Sequence, residues 1–268
     1  METMSDVLDF YKGRDVVVTG CTSGIGGAVA DKLAGAGASV IGIDRNKPST
    51  GLAKFIETDL SDRQSIAAAV SEMPGEVWGL FNCAGLSGGA ADPQTVLRVN
   101  FIGLRELTEA VAPRIPRGGA IVSTASGAGQ DFEKNRNEVI GLVRTSGFDE
   151  AVQWAKEHDT YVKERGGYPL SKEALVLYTL ERCFELGERG VRINCVGPGV
   201  TDTPMLKDSM KVYGEEFFKT PPKPLGRMAS AEEQGNILIF LNSDWASYVN
   251  GQTIWSDGGN ILRRALPE

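Results

Sequence analysis

The stretch from Asp15 to Gly26 constrains the fold of this chain more than any other part of the sequence. It begins with three consecutive valines, Val16 to Val18, which favour a buried parallel strand. Three glycines follow, and apolar residues then recur at helical spacing from Ala28 onward. A strand that stops at glycines and restarts as a helix directs unpaired backbone N–H groups at one point, which suits a phosphate. The sequence therefore predicts a dinucleotide-binding turn, with a tight turn that holds no ligand as the alternative.

The second predicted strand, residues 38–43, ends at Asp44. This carboxylate comes about 20 residues after Gly24, where a ribose 2′-hydroxyl is bound in such folds. A carboxylate repels a 2′-phosphate, so Asp44 favours NAD over NADP. The neighbouring Arg45 is a residue type that accepts this phosphate and keeps NADP as the alternative. Asp44 would otherwise be an ordinary turn residue at the end of a strand.

Strands and helices alternate along most of the chain. Further strands are predicted at 52–58, 77–81, 119–124, 191–196 and 251–255, and helices at 93–112, from 168 onward and at 231–241. Ser61 is expected to cap another helix, with Gln64 completing a capping box. This alternation is typical of a parallel sheet covered by helices on both faces. We therefore expect one α/β domain over residues 1–268, a Rossmann-type doubly wound parallel sheet of about seven strands.

Two stretches interrupt the alternation. Residues 130–167 are strongly charged, and Phe148, Val152 and Ala155 within them follow a helical spacing. We expect an inserted loop and helix, which form either a lid or substrate wall, or a surface or subunit-contact elaboration. Residues 200–225 carry four prolines and are expected to form a loop that closes over bound ligands. Candidates for lining the substrate pocket, or for packing this loop on the domain, are Met205, Leu206, Met210, Phe217 and Phe218.

Charge and composition narrow the possible partners and locations. The formal net charge of −7 disfavours nucleic acid. The absence of a long apolar run disfavours a membrane span, and the acidic start lacks a signal-peptide core, so we expect a cytoplasmic protein. Four cysteines without a CxxC pair are expected to be buried free thiols. The single histidine, His158, allows no His-based zinc cluster and is expected to be a solvated helix residue, so no metal site is predicted.

Tyr168 and Lys172 lie four residues apart at the start of a predicted helix, so they share one face. A nearby ammonium lowers the pKa of a phenol from its usual value of about 10. A tyrosine tuned in this way exchanges a proton with an alcohol or a carbonyl near neutral pH. Ser126 follows a strand and is positioned to hold the reacting oxygen, with Ser123 and Thr124 as rivals.

Asn100 lies in the middle of a predicted apolar helix, where asparagine is a poor fit. A polar residue in such a place is expected to have a specific partner. Water or a backbone carbonyl would serve, and Asn100 would then extend a proton relay from Lys172.

The order of these motifs resembles that of the short-chain dehydrogenases/reductases over nearly the whole chain. The resembling motifs are Thr19-Gly20-xxx-Gly24-Ile25-Gly26, Asp59, Asn82-Cys83-Ala84-Gly85, Asn100, Ser126, Tyr168-xxx-Lys172 and Pro198-Gly199-xxx-Thr203. The resemblance implies an NAD(P)-dependent hydride transfer with Asn100, Ser126, Tyr168 and Lys172 as catalytic residues. The expected cofactor-binding residues are Gly20, Ser23, Gly24, Ile25, Asp44, Arg45, Asp59, Leu60, Asn82, Ala84, Gly85, Tyr168, Lys172, Val200 and Thr203. Cys83 replaces the asparagine more usual in its motif.

Two subgroups of the family are the most similar. Residues 40–46 and 91–94 resemble bacterial coniferyl-alcohol dehydrogenases, and the insertion before Tyr168 resembles 3α-hydroxysteroid dehydrogenase/carbonyl reductases. Both subgroups act on hydroxyl or carbonyl groups attached to bulky hydrophobic rings. The resemblance implies an NAD-dependent enzyme that interconverts a hydrophobic aromatic, alicyclic or steroid-like alcohol and its carbonyl. An NADP-dependent carbonyl reductase and a catalytically silent cofactor-sensing protein are the alternatives.

The family resemblance has two further implications. Enoyl reductases of the family space the tyrosine and lysine farther apart, so enoyl reduction is disfavoured here. Members of the family usually form dimers or tetramers through the helices around Phe101 and Tyr168, so a homodimer or homotetramer is expected. The insertion adjoins that surface and could change the contact.

Overall fold

One parallel sheet organises the part of the chain described by the structure, a computed structural model covering residues 6–49, 51–219 and 224–261. Within these residues, seven strands are ordered β3-β2-β1-β4-β5-β6-β7 and every neighbouring pair is parallel. The strands are β1 Asp15–Thr19, β2 Ser39–Asp44, β3 Lys54–Glu57, β4 Gly79–Asn82, β5 Ala120–Thr124, β6 Arg192–Pro198 and β7 Thr253–Ser256. The predicted fold class is therefore confirmed.

Helices cover both faces of the sheet. The α-helices within the described residues are α1 Gly24–Gly35, α2 Arg63–Ser71, α3 Pro93–Leu97, α4 Leu104–Val111, α5 Arg136–Val143, α6 Phe148–Glu157, α7 Asp159–Arg165, α8 Gly167–Glu188, α9 Pro204–Tyr213, α10 Glu215–Lys219 and α11 Ala231–Asn242. Helices α1 and α11 pack together on one face, and α2, α4 and α8 lie on the other. The strand order reverses between β1 and β4, which opens a crevice at the carboxyl ends of these strands.

The valine run of β1 shows why the strands are buried on both sides. Val17 packs into the core beneath α2, α4 and α8, whereas Val16 and Val18 pack into the core beneath α1 and α11. All three side chains are fully buried. Burying each valine contributes roughly 1.5–3 kcal/mol, so β1 holds the two layers together.

The helix predicted over residues 93–112 is interrupted in the middle. It begins after Asp92, whose carboxylate accepts a hydrogen bond from the Thr95 backbone N–H, and passes through a π turn at Arg98–Gly103 before α4. At the end of this turn a Cβ on Gly103 would lie 1.7 Å from the Leu60 carbonyl oxygen. The helix therefore packs very closely against the loop after β3, and the π turn carries Asn100. Such turns are frequent at functional sites.

The 130–167 insertion contains three helices, α5 to α7, rather than a loop and one helix. The helix expected from the spacing of Phe148 and Ala155 is present as α6. Helices α5 and α7 pack on α8, and α6 packs on the π turn. Of the whole insertion, only Gln130 lines the cavity described below. The expected lid or substrate wall is therefore wrong for these helices, which instead cover the outer face of the helices around Phe101 and Tyr168.

Two buried groups fasten the insertion. The Arg105 guanidinium donates hydrogen bonds to the backbone carbonyls of residues 142, 143, 145 and 147, in the turn between α5 and α6. Glu173, which is fully buried on α8, pairs with Arg165 of α7 and accepts a hydrogen bond from Asn135 at 2.8 Å. The insertion is thereby joined to the helix that carries Tyr168 and Lys172.

Three local predictions need correction. The loop expected at 200–225 is largely helical, because Thr203 caps α9 and Pro204 occupies its first turn, where proline is tolerated. Residues 220–223 of that stretch lie outside the described residues. The cap of α2 is Asp62, whose carboxylate accepts from the Gln64 N–H, rather than Ser61. Not all the cysteines are buried: Cys21 and Cys195 are, whereas Cys83 and Cys183 are half-buried, and all four are free thiols.

Several features bear on partners. His158 is exposed and stacks on Trp154, with ring centroids 4.1 Å apart, as expected for a solvated residue. No helix within residues 6–49, 51–219 and 224–261 is long and apolar enough to cross a bilayer. The same residues contain no group of three or more His, Cys, Asp or Glu side chains arranged to hold a metal ion.

Candidate active site

A cavity of about 680 Å³ lies at the carboxyl ends of the strands, where the strand order reverses. It brings together residues that are distant in the sequence. The predicted site residues that line it are Gly20, Ser23, Gly24, Ile25, Asp44, Arg45, Asp59, Leu60, Ala84, Gly85, Ser126, Tyr168, Lys172, Val200 and Thr203. Asn82 and Asn100 do not line it.

The glycine turn after β1 presents the N-terminus of α1 to the cavity. Gly24 begins the helix with a φ of 56°, a conformation that favours glycine. A Cβ on Gly26 would lie 2.2 Å from the Gly20 carbonyl oxygen, so the helix can approach the strand only with glycine there. Ser23 precedes α1 but makes no side-chain capping bond. The first N–H groups of α1 thus face the cavity without a side-chain cap, an arrangement that fits a pyrophosphate.

The end of β2 holds a carboxylate in the cavity wall. Asp44 Oδ2 accepts hydrogen bonds from the Thr22 hydroxyl at 2.7 Å and the Thr22 backbone N–H at 3.2 Å. Asp44 Oδ1 accepts from the Asn46 backbone N–H at 3.1 Å. The carboxylate is therefore fixed against the glycine turn, at the position expected for a ribose-binding group.

Asp59 and Arg45 form the neighbouring part of the wall. Burial raises the pKa of Asp59, but hydrogen bonds from Ser61 and the charge of Arg45 outweigh it, so the pKa of this carboxyl is below its usual value. Arg45 is exposed and lies in the same cavity wall as Asp44. The two residues that favour different cofactors are therefore both present at this end of the cavity.

The turn after β4 lines the cavity directly beside the glycine turn. The Thr19 hydroxyl accepts hydrogen bonds at 3.0 Å from the backbone N–H groups of Cys83 and Ala84, which joins this turn to the end of β1. The Asn82 side chain points away, donating to the Thr108 hydroxyl at 2.9 Å and the Ser123 hydroxyl at 3.2 Å. The Asn82 side chain therefore joins β4, β5 and α4, and the cofactor contact predicted for this residue stays a prediction.

Ser126 is placed by the turn that follows β5. Its hydroxyl caps a short 3₁₀ turn by accepting a hydrogen bond from the Ala128 backbone N–H at 3.2 Å. The rival Ser123 is buried on β5 and accepts from Asn82, so it does not reach the cavity. Thr124 does line the cavity, and its buried hydroxyl has no hydrogen-bond partner among the residues that the structure describes. Ser126 is the one of the three that acts on Tyr168, where its hydroxyl lowers the pKa of the phenol.

Helix α8 brings Tyr168 and Lys172 into the cavity. A Cβ on Gly167 would lie 2.1 Å from the Pro93 carbonyl oxygen, so α8 starts in close contact with the start of α3. Lys172 is 4% exposed, and its Nζ donates to the Thr124 carbonyl oxygen at 2.8 Å. The same Nζ lies 5.5 Å from the centroid of the Tyr168 ring. The two side chains share one wall, as the four-residue spacing predicts.

The pKa values of Tyr168 and Lys172 differ from the expectation based on the sequence. Burial raises the pKa of Tyr168 above its usual value, and the Ser126 hydroxyl only partly opposes this. Burial also lowers the pKa of Lys172 to about 8. The predicted lowering of the tyrosine pKa by Lys172 is therefore wrong, because the spacing of the two residues does not reveal how strongly both are desolvated.

Asn100 acts on the loop beside Lys172. Its Nδ2 donates to the Leu86 carbonyl oxygen at 2.9 Å, and its Oδ1 accepts from the Leu86 backbone N–H at 2.7 Å. The predicted bond to a backbone carbonyl is therefore confirmed. A Cβ on Gly85 would lie 3.3 Å from Asn100 Oδ1 and 3.9 Å from Lys172 Nζ, so the three residues adjoin. The proton relay expected from Lys172 stays a prediction.

The other end of the cavity is walled by α9 and α10. Of the expected substrate-facing residues, Met205, Leu206, Phe217 and Phe218 line it and Met210 does not. The sequence did not identify the further lining residues Leu86, Ser87, Gln130, Ser209, Tyr213, Asn260 and Ile261. Leu206, Ser209 and Tyr213 recur at helical spacing, a signal that the assignment of this stretch as a loop obscured.

Comparisons with known proteins agree with this geometry. A family model described as short chain dehydrogenase matches residues 14–137, and one described as enoyl-(acyl carrier protein) reductase matches residues 154–260. Coniferyl-alcohol dehydrogenase of Pseudomonas sp. is 38% identical over 247 residues, 92% of this chain and 96% of that protein. The 3-alpha-hydroxysteroid dehydrogenase/carbonyl reductase of Comamonas testosteroni is 33% identical over 253 residues, 91% of this chain and 95% of that protein.

A solved structure also covers nearly the whole chain. The 3-alpha-hydroxysteroid dehydrogenase from Pseudomonas sp. B-0831, in complex with NADH, superposes with a TM-score of 0.80 and is 30% identical. The match covers 95% of this chain and 100% of that one.

Proposed function

The chain belongs to the short-chain dehydrogenase/reductase family, and from this premise we propose that it is an NAD-dependent enzyme that interconverts a hydrophobic alcohol and its carbonyl compound. An oxidoreductase that acts on CH–OH groups with a nicotinamide cofactor follows from family membership. The preference for NAD, the role of Tyr168 and the substrate class are proposals.

One observation carries the proposal. Ser126, Tyr168 and Lys172 line the same cavity as the uncapped N-terminus of α1 and the fixed carboxylate of Asp44. A cofactor held at the glycine turn and Asp44 would therefore extend toward the three reactive side chains. The presence of all three reactive side chains in the cofactor cavity also disfavours a catalytically silent sensor. Such a protein would need the glycine turn to bind the cofactor, but would not need Ser126, Tyr168 and Lys172.

Ser126, Tyr168 and Lys172 each have a different role in the proposed reaction. Ser126 hydrogen-bonds the reacting oxygen, and Tyr168 exchanges a proton with it. The burial that raises the pKa of Tyr168 keeps the phenol protonated at neutral pH, which suits proton donation to a carbonyl oxygen. Lys172 places a positive charge on the same wall, where it would favour the phenolate that forms when that proton is given up. When NAD or NADH is bound, its nicotinamide ring supplies the hydride transfer.

Asn100 and the turn after β4 hold this arrangement in place. By binding both backbone groups of Leu86, Asn100 fixes the loop that lines the cavity next to Lys172. Its contribution is therefore to position the wall on which the nicotinamide end would rest.

NAD is favoured by the carboxylate of Asp44, which is fixed where a 2′-phosphate would otherwise lie. The NADH complex of the structural relative supports the same choice. Arg45 supports the alternative, an NADP-dependent carbonyl reductase, because it lines the same end of the cavity and its guanidinium is a group that accepts a 2′-phosphate.

The substrate is proposed to be an alcohol on a bulky hydrophobic ring. Met205, Leu206, Phe217 and Phe218 give the far end of the cavity an apolar wall. The names of the two curated relatives, a coniferyl-alcohol dehydrogenase and a hydroxysteroid dehydrogenase, agree with such a compound.

The proposal is tested by near-ultraviolet absorbance of NADH or NADPH during turnover. Aryl allylic alcohols and 3-hydroxysteroids, with their carbonyl counterparts, are offered with NAD(H) and NADP(H) in separate reactions. We expect turnover with at least one compound and a higher kcat/KM with NAD(H). A preference for NADP(H) would show that Arg45 outweighs Asp44. No turnover of any compound with either cofactor would contradict the proposed function.

A further inference from the structure

The apolar end of the cavity is formed by three aromatic rings on α9 and α10. Tyr213 and Phe217 lie with ring centroids 5.5 Å apart and planes inclined by 32°. Phe217 and Phe218 meet edge to face at 5.0 Å, and Tyr213 and Phe218 do so at 6.5 Å. All three rings line the cavity, yet Tyr213 is 46% and Phe217 61% exposed. Large rings left in contact with water at a cavity mouth mark a surface that a ligand covers.

Tyr213 reaches from this cluster to the opposite wall. A Cβ built on Gly88 would lie 2.5 Å from the Tyr213 hydroxyl oxygen and 3.3 Å from Tyr168 Cβ. At the next residue, a Cβ on Gly89 would lie 2.7 Å from the Val212 side chain. The two glycines therefore allow α9 to approach the loop after β4. This approach brings the Tyr213 hydroxyl next to Gly88, which Tyr168 Cβ also adjoins.

The Tyr213 hydroxyl makes no hydrogen bond to any residue that the structure describes. Ser209, one turn earlier on α9, also lines the cavity, but its hydroxyl already donates to the Met205 carbonyl oxygen at 2.8 Å. Among the α9 side chains that line the cavity, Tyr213 is thus the one whose polar group has no partner in the described part of the chain. A tyrosine combines a flat apolar ring with a hydroxyl that forms hydrogen bonds, and Tyr213 offers both groups to a ligand in the cavity.

We propose that Tyr213 determines the substrate class, selecting an aryl alcohol that carries an oxygen substituent on its ring. The aromatic cluster packs against the aryl ring, and the Tyr213 hydroxyl hydrogen-bonds the ring oxygen, while the alcohol group lies at Ser126 and Tyr168. A fused alicyclic skeleton would be buried by the same rings but would gain no ring–ring interaction from them. The inference rests on the proposed function, because it assumes that the alcohol is bound at Tyr168.

The test measures binding rather than turnover. Protein saturated with NADH is titrated by calorimetry with coniferyl alcohol, which has phenol and methoxy oxygens on its ring, or with cinnamyl alcohol, which has neither. An alcohol cannot be oxidised by the reduced cofactor, so each titration reports affinity alone. We expect Tyr213→Phe to weaken the binding of coniferyl alcohol by about five- to ten-fold, and to change that of cinnamyl alcohol by less than about two-fold.

Tyr248→Phe is the matched control, since Tyr248 is fully exposed and does not line the cavity. It should bind both alcohols as the unaltered protein does. Tyr213→Leu keeps an apolar side chain but removes the ring, so it should weaken both alcohols.

A second variant tests the position of the hydroxyl. Gly88→Ala adds a methyl group 2.5 Å from the Tyr213 hydroxyl oxygen, too close for that oxygen to stay in place, whereas the ring carbon behind the oxygen is 3.6 Å away. Gly88→Ala should therefore weaken coniferyl alcohol binding in the unaltered protein, but change it little further in Tyr213→Phe.

The outcomes separate the inference from the proposed function. Equal loss of affinity for the two alcohols in Tyr213→Phe, no loss for either, or tighter binding of a 3-hydroxysteroid than of coniferyl alcohol would each overturn the inference. Absence of binding by both alcohols would overturn it as well. Discrimination by Tyr213 without turnover in the presence of NAD would support the inference and contradict the proposed function.

Discussion

Replacing Lys172 with methionine should stabilise the protein while abolishing its activity. Lys172 is 4% exposed, and burial lowers its pKa from 10.5 to about 8. That shift corresponds to a destabilisation of roughly 3 kcal/mol when the ammonium is charged in the folded state. Methionine retains the apolar stem without the charge, but leaves the Thr124 carbonyl without its hydrogen bond, which costs about 1 kcal/mol. The expected net gain at pH 7 is about 1–2 kcal/mol in the free energy of unfolding.

The pH dependence identifies the source of this gain. The pKa of Lys172 is lower in the folded than in the unfolded protein, so between about pH 8 and 10.5 the unfolded chain binds more protons. The stability of the unaltered protein therefore rises through this window, relative to the Lys172→Met variant. Between pH 7 and about pH 9.5, the advantage of the variant should fall by roughly 2 kcal/mol.

Urea unfolding of both proteins at the two pH values measures this difference. Lys207→Met is the matched control, because Lys207 is exposed on α9, and its substitution should change stability by less than about 0.5 kcal/mol. A Lys172→Met variant that is less stable than the unaltered protein at pH 7 would refute the reasoning. A stability difference that does not change with pH would also refute it.

Three other predictions follow from the same contacts. Asp44→Asn removes the negative charge at the ribose end of the cavity, so the KM for NAD should rise about ten-fold or more. The KM for NADP should fall, because the 2′-phosphate is no longer repelled. Steady-state kinetics with an unchanged KM for NAD would contradict this prediction. Glu173→Gln removes the charge that faces Arg165, so urea unfolding should show that the free energy of unfolding falls by about 2–4 kcal/mol, less than for a fully buried pair because Arg165 is partly exposed. Glu185→Gln, in an exposed pair, is the control, and an equally small loss in both variants would contradict the proposed attachment of the insertion by Glu173. Because burial raises the pKa of Tyr168 above its usual value of about 10, initial rates of carbonyl reduction should stay nearly level from pH 7 to about pH 9 while those of alcohol oxidation rise, and a fall in the reduction rate over this range would be inconsistent with the protonated phenol.

Residue types with narrow conformational demands made the cofactor end of the site predictable. The turn between β1 and α1 requires a positive φ at Gly24 and a close approach at Gly26, and both needs are visible in the sequence as glycines. The valine run of β1 likewise matches a strand buried on both faces. The fold and most of the cofactor wall follow from such local signals.

The direction of a buried side chain could not be predicted in the same way. Asn82 belongs to the expected motif, but it faces Thr108 and Ser123 rather than the cavity. Asn100 was recognised as a poor fit in a helix, whereas the π turn that carries it depends on the packing of Gly103 against Leu60. Both outcomes depend on tertiary contacts that no local pattern records.

The substrate end was misjudged for a related reason. The four prolines of residues 200–225 predict a loop, although Pro204 occupies the first turn of α9, where proline is compatible with a helix. That assignment hid the helical spacing that brings Tyr213 into the cavity. In the insertion, the spacing of apolar residues predicts only one of the three helices. The attachment of the insertion through Arg105 and Glu173 depends on contacts between residues that are distant in the sequence.

Proton transfer by Tyr168 is the central claim, and the Tyr168→Phe variant tests it most directly. The variant would be compared with Tyr161→Phe, a matched control because the Tyr161 hydroxyl is buried without a hydrogen-bond partner in the described part of the chain. NADH formation from the best alcohol substrate and NADH binding by fluorescence are measured for both. We predict that Tyr168→Phe loses about 10²–10⁴-fold in kcat with NADH affinity largely unchanged, while Tyr161→Phe keeps both. A Tyr168→Phe protein that binds NADH and turns over at nearly the original rate would contradict the account.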